Sequence, residues 1–240
     1  ETETIGHLIK WSHSTSYFFP KYPKYFKCKV ECIYTFQIDI NNPEFRFLSG
    51  HCIDGRILFP AVGYLILISQ MVATFLGYLD FSKISIDFYK FKLRKALLLT
   101  SSTPTAAVCQ VWKESQKFQI SSDNEICAEG YYKLDYSVID YKSLMVSNPA
   151  PDAIKLQKKD FYKLLRIRGY DYRDVFQGVE EAMSDGSSAT VKFSKNWVAF
   201  ADSCFQVAIL DKKSGLYLPT TIDYVKCDYP VLKRTIDEAS

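Results

Sequence analysis

The sequence predicts an α+β fold made of two similar halves. Three observations carry this expectation. Runs of β-branched and aromatic residues flank a charge-free helical stretch, and the same order of segments restarts later in the chain. Both helical stretches are apolar almost all round, which is what a helix covered by a sheet requires. Of the 240 residues, 48% are hydrophobic and 24% charged, ordinary soluble usage that excludes a disordered tail or low-complexity linker. That length suits one large domain or two small ones. A net charge of +3 is too weak to call for nucleic acid or a membrane surface as partner.

The elements follow in order. Residues 1–29 are aromatic and basic, with KYPKYFKCK at 21–29. Such interleaving can bind single-stranded nucleic acid, but the prolines favour a solvated edge strand. VECIYTFQIDI, from Val30, reads as a strand. A loop at Asn41–Glu44 leads through FRFLSGHCIDGRILFP to AVGYLILISQMVATFLGYL (61–79). That stretch is long enough as a helix to cross a bilayer. Gln70, Ser69, Thr74 and Tyr64, and the lack of tightly bracketing Lys or Arg, make it a buried core helix instead. Strand-like segments at 84–99, 106–115, 117–122 and 126–136, divided by turn residues, suggest an antiparallel meander. Residues 138–153, with Ser147, Asn148, Pro149 and Pro151, read as a linker between halves at 1–137 and 154–240. The second half opens with a basic helix (155–168) and a Gly-aromatic segment (169–178). Strands around 187–193, a helix at Trp197–Leu210 and a strand at 216–227 complete it.

Seven scattered cysteines, an odd number, do not form a disulfide framework, and free thiols in a reducing cytoplasm are expected. Cys28 and Cys32 lack the second ligand pair that a zinc site needs. The phosphate-binding, dinucleotide, zinc-protease and nucleophile-elbow motifs are absent. A dyad of His51 with Cys52 is disfavoured, because adjacent residues of an extended segment point opposite ways.

Of three histidines, only His51 has a chemical context: His51, Gly55 and Pro60 read H-x3-G-x4-P. Pro60 marks the start of the long helix, and Gly55 allows a bend or a close approach to ligand. A helix N-terminus disfavours imidazolium, so His51 is suited to be a neutral general base. Asp202 and Gln206, spaced i, i+4, share one face of the second helix. A carboxyl on a buried face is costly unless paired or protonated, so Asp202 is a candidate proton donor, oriented by Gln206.

HCIDGRILFPAVGYL, GYDYRDVFQGV (169–179), DSCFQ (202–206) and LPTTID (218–223), in that order, resemble the dehydratase domain of animal-type fatty acid synthases and type I polyketide synthases. The resemblance spans Tyr34 to Asp223. It implies a double hot-dog, two antiparallel sheets each wrapped around a long central helix. It also implies dehydration of (3R)-3-hydroxyacyl chains to trans-2-enoyl thioesters, the activity of a 3-hydroxyacyl-carrier dehydratase (a hydro-lyase). His51 would remove the α-proton and Asp202 would protonate the departing hydroxyl. Gln206 and Tyr172 would position Asp202, and a backbone N–H near Gly55 would polarise the thioester. The substrate would ride on a phosphopantetheine arm, with no metal or redox cofactor. Expected partners are an acyl carrier protein domain, other domains of the same megasynthase and a second copy in a homodimer, in the cytoplasm, without nucleic acid or membrane. The basic helix, through Lys155, Lys158, Lys159 and Lys163, is the expected carrier-docking face. Two features depart from the pattern: Arg173 and Asp174 stand where the family carries Gly-Pro, and only seventeen residues follow Asp223. The start at Glu1 rather than Met suggests a piece of a longer chain. Two alternatives stay open: a non-catalytic hot-dog scaffold module, or a product-template-like domain that shapes cyclisation.

Overall fold

The computed structural model describes residues 31–137, 148–210 and 215–238. The aromatic-basic stretch 1–29, with Cys28, and most of the expected linker lie outside the described residues. No helix among the described residues is long and apolar enough to cross a membrane.

A six-stranded antiparallel sheet dominates the structure. It is built from β1 (Glu31–Ile38), β4 (Ser85–Leu93), β6 (Thr105–Trp112), β7 (Lys117–Ser122), β8 (Glu125–Leu134) and β13 (Thr221–Asp228), in the order β1-β6-β7-β8-β4-β13. β1 pairs with β6 along its whole length, Glu31 opposite Trp112 and Ile38 opposite Thr105. Along β6 and β7 every second residue is buried, the period-two pattern of a sheet with one face on a core. Phe88, Phe91, Phe118 and Ile120 lie fully inside.

Helix α1 (Ala61–Phe75) packs on β4 and β6 and buries residues on all sides. It starts at Pro60, whose extended backbone caps the first turn. It stops four residues before the charge-free stretch does. Gly77 takes a φ of +83°, and the N–H groups of Gly77 and Tyr78 close back on the carbonyls of Thr74 and Ala73 at 3.1 and 2.9 Å. This is a Schellman closure, which needs the left-handed conformation that glycine adopts without strain.

Smaller sheets complete the frame. One holds β2 (His51–Ile53), β3 (Arg56–Leu58), β5 (Leu98–Leu99) and β10 (Tyr170–Tyr172) in the order β10-β2-β3-β5. The other joins β9 (Lys155–Gln157), β11 (Val179–Met183) and β12 (Ala189–Val191) in the order β12-β11-β9. Between them run α2 (Lys158–Ile167) and α3 (Trp197–Val207), and α3 touches α1. The expectation of a separate sheet for each half is met only in part. β10 pairs with β2, and β13 pairs with β4, so strands from after the linker complete sheets begun before it. Side chains explain the second pairing: the Tyr224 ring packs on Tyr89 at 5.3 Å, and Lys226 reaches Asp135 at 3.2 Å and Asp87 at 4.0 Å.

The strand expected over 84–99 divides into β4 and β5. A further helix, α4 (Tyr229–Glu238), follows β13 and was not anticipated. Its buried Tyr229 sits edge-on to Phe81 and Trp197 and meets Ser69 Oγ of α1 at 3.0 Å. One aromatic residue thus fastens the chain's last helix to both central helices. None of the six described cysteines is in a disulfide.

Candidate active site

His51 opens β2, directly after a short 3-10 turn at Arg46–Gly50. Its neighbour Gly50 is a point of closest approach: a Cβ there would lie 2.5 Å from the Arg173 carbonyl oxygen. The Gly50 carbonyl accepts from the Arg173 N–H at 2.9 Å, and Tyr172 stands opposite His51 in the ladder. The absent side chain lets the segment after β10 lie flat against His51. The imidazole consequently sits between the rings of Tyr172 and Phe176, with centroids 5.4 and 5.2 Å away.

His51 Nδ1 lies 2.8 Å from the Leu58 carbonyl oxygen. A carbonyl only accepts, so Nδ1 carries the hydrogen and Nε2 of the neutral ring presents a lone pair. That lone pair faces Asp202 Oδ1 at 3.6 Å. Both side chains are almost fully buried, His51 5% and Asp202 6% exposed. The pair is therefore desolvated, too far apart for a direct hydrogen bond and near enough to pass a proton with little movement.

Asp202 projects from α3, whose start is capped by the Asn196 side chain accepting from the Ala199 N–H at 2.9 Å. One turn on, Gln206 Nε2 donates to Asp202 Oδ2 at 2.9 Å and to the Phe176 carbonyl at 3.0 Å. Gln206 Oε1 accepts from the Tyr162 hydroxyl at 3.1 Å. Tyr162 in turn accepts from the Val179 N–H at 2.9 Å. The i, i+4 spacing of Asp202 and Gln206 was legible in the sequence. Tyr162 was not singled out, because in the sequence it is one aromatic on an amphipathic helix.

His51 and Asp202 share a cavity of about 580 Å³. Its walls include Leu58, Phe59, Leu93, Phe205 and Ile209, and Arg94 and Lys95 also line it. Apolar walls around a few convergent polar groups suit a chain-like ligand with one reactive end.

The structure relocates several expectations. Gly55 sits with Asp54 in the two-residue turn between β2 and β3, at φ of +71° and +50°. This is the pairing that an Asp-Gly hairpin turn demands. It places Gly55 on an exposed tip, outside the cavity lining, so its N–H does not face the site. Pro60 caps α1 and is buried, as its spacing suggested. Tyr172 lines the cavity and packs on His51, but the hydroxyl that reaches Gln206 belongs to Tyr162. Burial pushes the Tyr172 hydroxyl well above its ordinary pKa, so it stays protonated. Arg173 and Asp174 point outward: Arg173 pairs with Asp171, and Asp174 begins a short 3-10 turn at a φ of +50°. Neither lines the cavity. Of the four lysines expected to dock a carrier, Lys155 pairs with Glu181 at 2.7 Å and Lys158 with Glu180 at 3.0 Å. Lys159 and Lys163 are exposed on α2. Among the described residues, no cluster of three or more His, Cys, Asp or Glu side chains could hold a metal ion.

The chain has the fold of polyketide synthase dehydratase domains. It superposes on the dehydratase domain from the CurF module of the curacin polyketide synthase with a TM-score of 0.64, at 19% identity, covering 83% of this chain and 78% of that one. The dehydratase domain of a mycocerosic acid synthase-like polyketide synthase gives 0.60 at 16% identity, covering 81% and 74%. In sequence, the chain is 25% identical over 197 residues to probable polyketide synthase 26 of Dictyostelium discoideum, covering 70% of this chain. It is 26% identical over 158 residues to probable polyketide synthase 8/35 of the same organism, covering 60% of this chain. The chain spans only 7% and 6% of the length of these two proteins. No protein-family profile matches.

Proposed function

We propose that the chain is a double hot-dog dehydratase module that removes water from 3-hydroxyacyl thioesters presented by an acyl carrier domain of a polyketide synthase. One observation carries the reading: a buried imidazole whose free Nε2 faces a buried carboxyl at 3.6 Å across one apolar cavity. Elimination needs a base at C2 and an acid at the C3 hydroxyl, and no change of oxidation state. His51 Nε2 takes the C2 proton, and the electron pair of that C–H bond forms the C2=C3 double bond. The C3–O bond breaks as Asp202 delivers a proton from Oδ1, and water leaves. The products of that step, imidazolium and carboxylate, are adjacent, so the proton returns from Nε2 to Oδ1 and the pair is reset.

The likeness in fold supports this reading, as do structures of CurK dehydratase variants in which a His is replaced by Phe and an Asp by Asn, both described as inactive. The expected partners are the carrier domain, other synthase domains and a second copy of the module. Lys159 and Lys163 offer an acidic carrier the free charge on α2.

The test is elimination from a 3-hydroxyacyl pantetheine thioester by the wild-type chain, His51→Ala and Asp202→Asn. Loss of either group should lower turnover at least about 10²-fold, the usual contribution of one positioned acid or base. Wild-type rates in either variant would overturn the assignment.

A further inference from the structure

Hydrogen accounting around Asp202 shows which of its two oxygens can carry the transferable proton. Gln206 Nε2 spends its two hydrogens on Asp202 Oδ2 and the Phe176 carbonyl. Oδ2 is therefore an acceptor, and a proton on the carboxyl belongs on Oδ1, the oxygen facing His51. This holds only while the amide keeps its NH2 end toward Asp202. Turned over, Gln206 would set its oxygen against the Phe176 carbonyl, and the amide nitrogen would face the Tyr162 hydroxyl.

We propose that Tyr162 is a positioning residue of the site: by donating to Gln206 Oε1, it holds the amide with its NH2 toward Asp202 and so keeps the proton on Oδ1, facing His51. The inference rests on the dehydratase reading and adds to it a residue that touches neither substrate nor the reacting atoms.

The network has one direction. Val179 N–H donates to Tyr162 Oη, which uses up the interaction from that side. Tyr162 has a single hydrogen, and within its reach are Gln206 Oε1 at 3.1 Å, the Phe176 carbonyl at 3.3 Å and Ser203 Oγ. Oε1 is the nearer of the two carbonyl oxygens, and the Phe176 carbonyl already takes one hydrogen from Gln206. Ser203 gives its own hydrogen to the Ala199 carbonyl at 2.9 Å, and its Oγ also hydrogen-bonds the Tyr162 hydroxyl. Burial raises the Tyr162 hydroxyl above its ordinary pKa and keeps it a donor. The packing is tight enough to enforce the geometry. Gly178, just before Val179, has no room for a Cβ, which would lie 2.6 Å from Ser203 Oγ. A larger residue would lift the donor strand off α3.

Tyr162→Phe removes the hydroxyl and leaves the ring, so Gln206 Oε1 and the Val179 N–H both lose that partner. Two measurements on the whole chain test the proposal. Side-chain amide NMR should show the two Gln206 Nε2 hydrogens protected from exchange in the wild type and exposed to exchange in Tyr162→Phe. Kinetically, the variant should lose about tenfold in kcat with KM for the pantetheine thioester unchanged, the scale of one buried hydrogen bond. In a Gln206→Met background the same substitution should cost no further kcat, because Tyr162 reaches Asp202 only through the amide. An unmoved Gln206 amide in Tyr162→Phe, or an equal loss in both backgrounds, overturns the proposal. If the amide responds but the wild type eliminates no water, the dehydratase reading has failed and the amide lock stands.

Discussion

Adding one methyl group at Gly50 is the sharpest structural probe of how His51 is held. A Cβ there meets the Arg173 carbonyl oxygen at 2.5 Å, with the Arg173 carbonyl carbon and a Phe176 ring carbon at 3.3 Å. The first obstacle is backbone and cannot swing aside. Ordinary contact requires the segment after β10 to retreat by about half an ångström to one ångström, judged from usual van der Waals separations. That retreat stretches the Arg173 N–H bond to the Gly50 carbonyl and draws Phe176 from the imidazole. Overpacking of this kind costs about 1–3 kcal/mol, which in a chain of this size lowers Tm by roughly 2–12 °C. A displacement near 1 Å at a reacting group is worth about 10²-fold in rate. Differential scanning calorimetry and thioester elimination kinetics measure the two effects together. Gly55→Ala is the control: its φ of +71° makes alanine strained, but nothing lies within 4 Å. That variant should lose about 1 kcal/mol of stability and keep its rate. Gly50→Ala with wild-type Tm and wild-type turnover would refute the packing argument.

Three further outcomes follow from the same structure. The Tyr64 hydroxyl is buried with no hydrogen-bond partner among the described residues, so Tyr64→Phe should leave stability unchanged or raise it by about 1 kcal/mol; a loss of that size on urea titration would contradict this. Asp135 is held at about 2 by the Ser137 backbone N–H first, then the Ser137 hydroxyl and Lys226. Its folded pKa lies below the unfolded one, so its stabilisation is present above roughly pH 4. It is lost as pH falls through about 2. Asp135→Asn should flatten that part of the acid-unfolding curve, and an identical curve would show that the contact contributes nothing. Reversing charge at Lys159 and Lys163 should raise KM for carrier-bound substrate in a salt-sensitive way while leaving free pantetheine thioester unaffected; equal KM values with the carrier would remove α2 as its docking face.

What was legible in the sequence was local. β1, β6, β7 and β8 follow from alternation and turn residues, and α1 from its unbroken apolar run, because these patterns repeat within a few residues. The end of α1 at Phe75 depended on one glycine that the apolar run concealed. The pairing of β13 with β4 joins segments more than a hundred residues apart through Tyr89–Tyr224 and Lys226–Asp87, and no local pattern encodes it. At the site, His51, Asp202 and Gln206 were readable because their spacings are short and their residue types unusual in apolar surroundings. The sequence suggests at Gly55 a bend or a close approach to ligand; Gly55 makes the bend, and the tightly packed glycine is Gly50, against the Arg173 carbonyl, since a sequence shows that a glycine is present but not what it faces. Tyr162 was silent for the reason that it matters: its partner is 44 residues away, on another helix.

In the proposed reaction, His51 and Asp202 expel water from a carrier-bound 3-hydroxyacyl chain. Intact-protein mass spectrometry of a 3-hydroxyacyl carrier domain, before and after incubation with this chain, tests it most directly. The carrier should lose one water with the wild type and keep its mass with His51→Ala or Asp202→Asn variants that retain the wild-type circular dichroism spectrum. An unchanged carrier mass with the folded wild type, or water loss persisting in both variants, would contradict it.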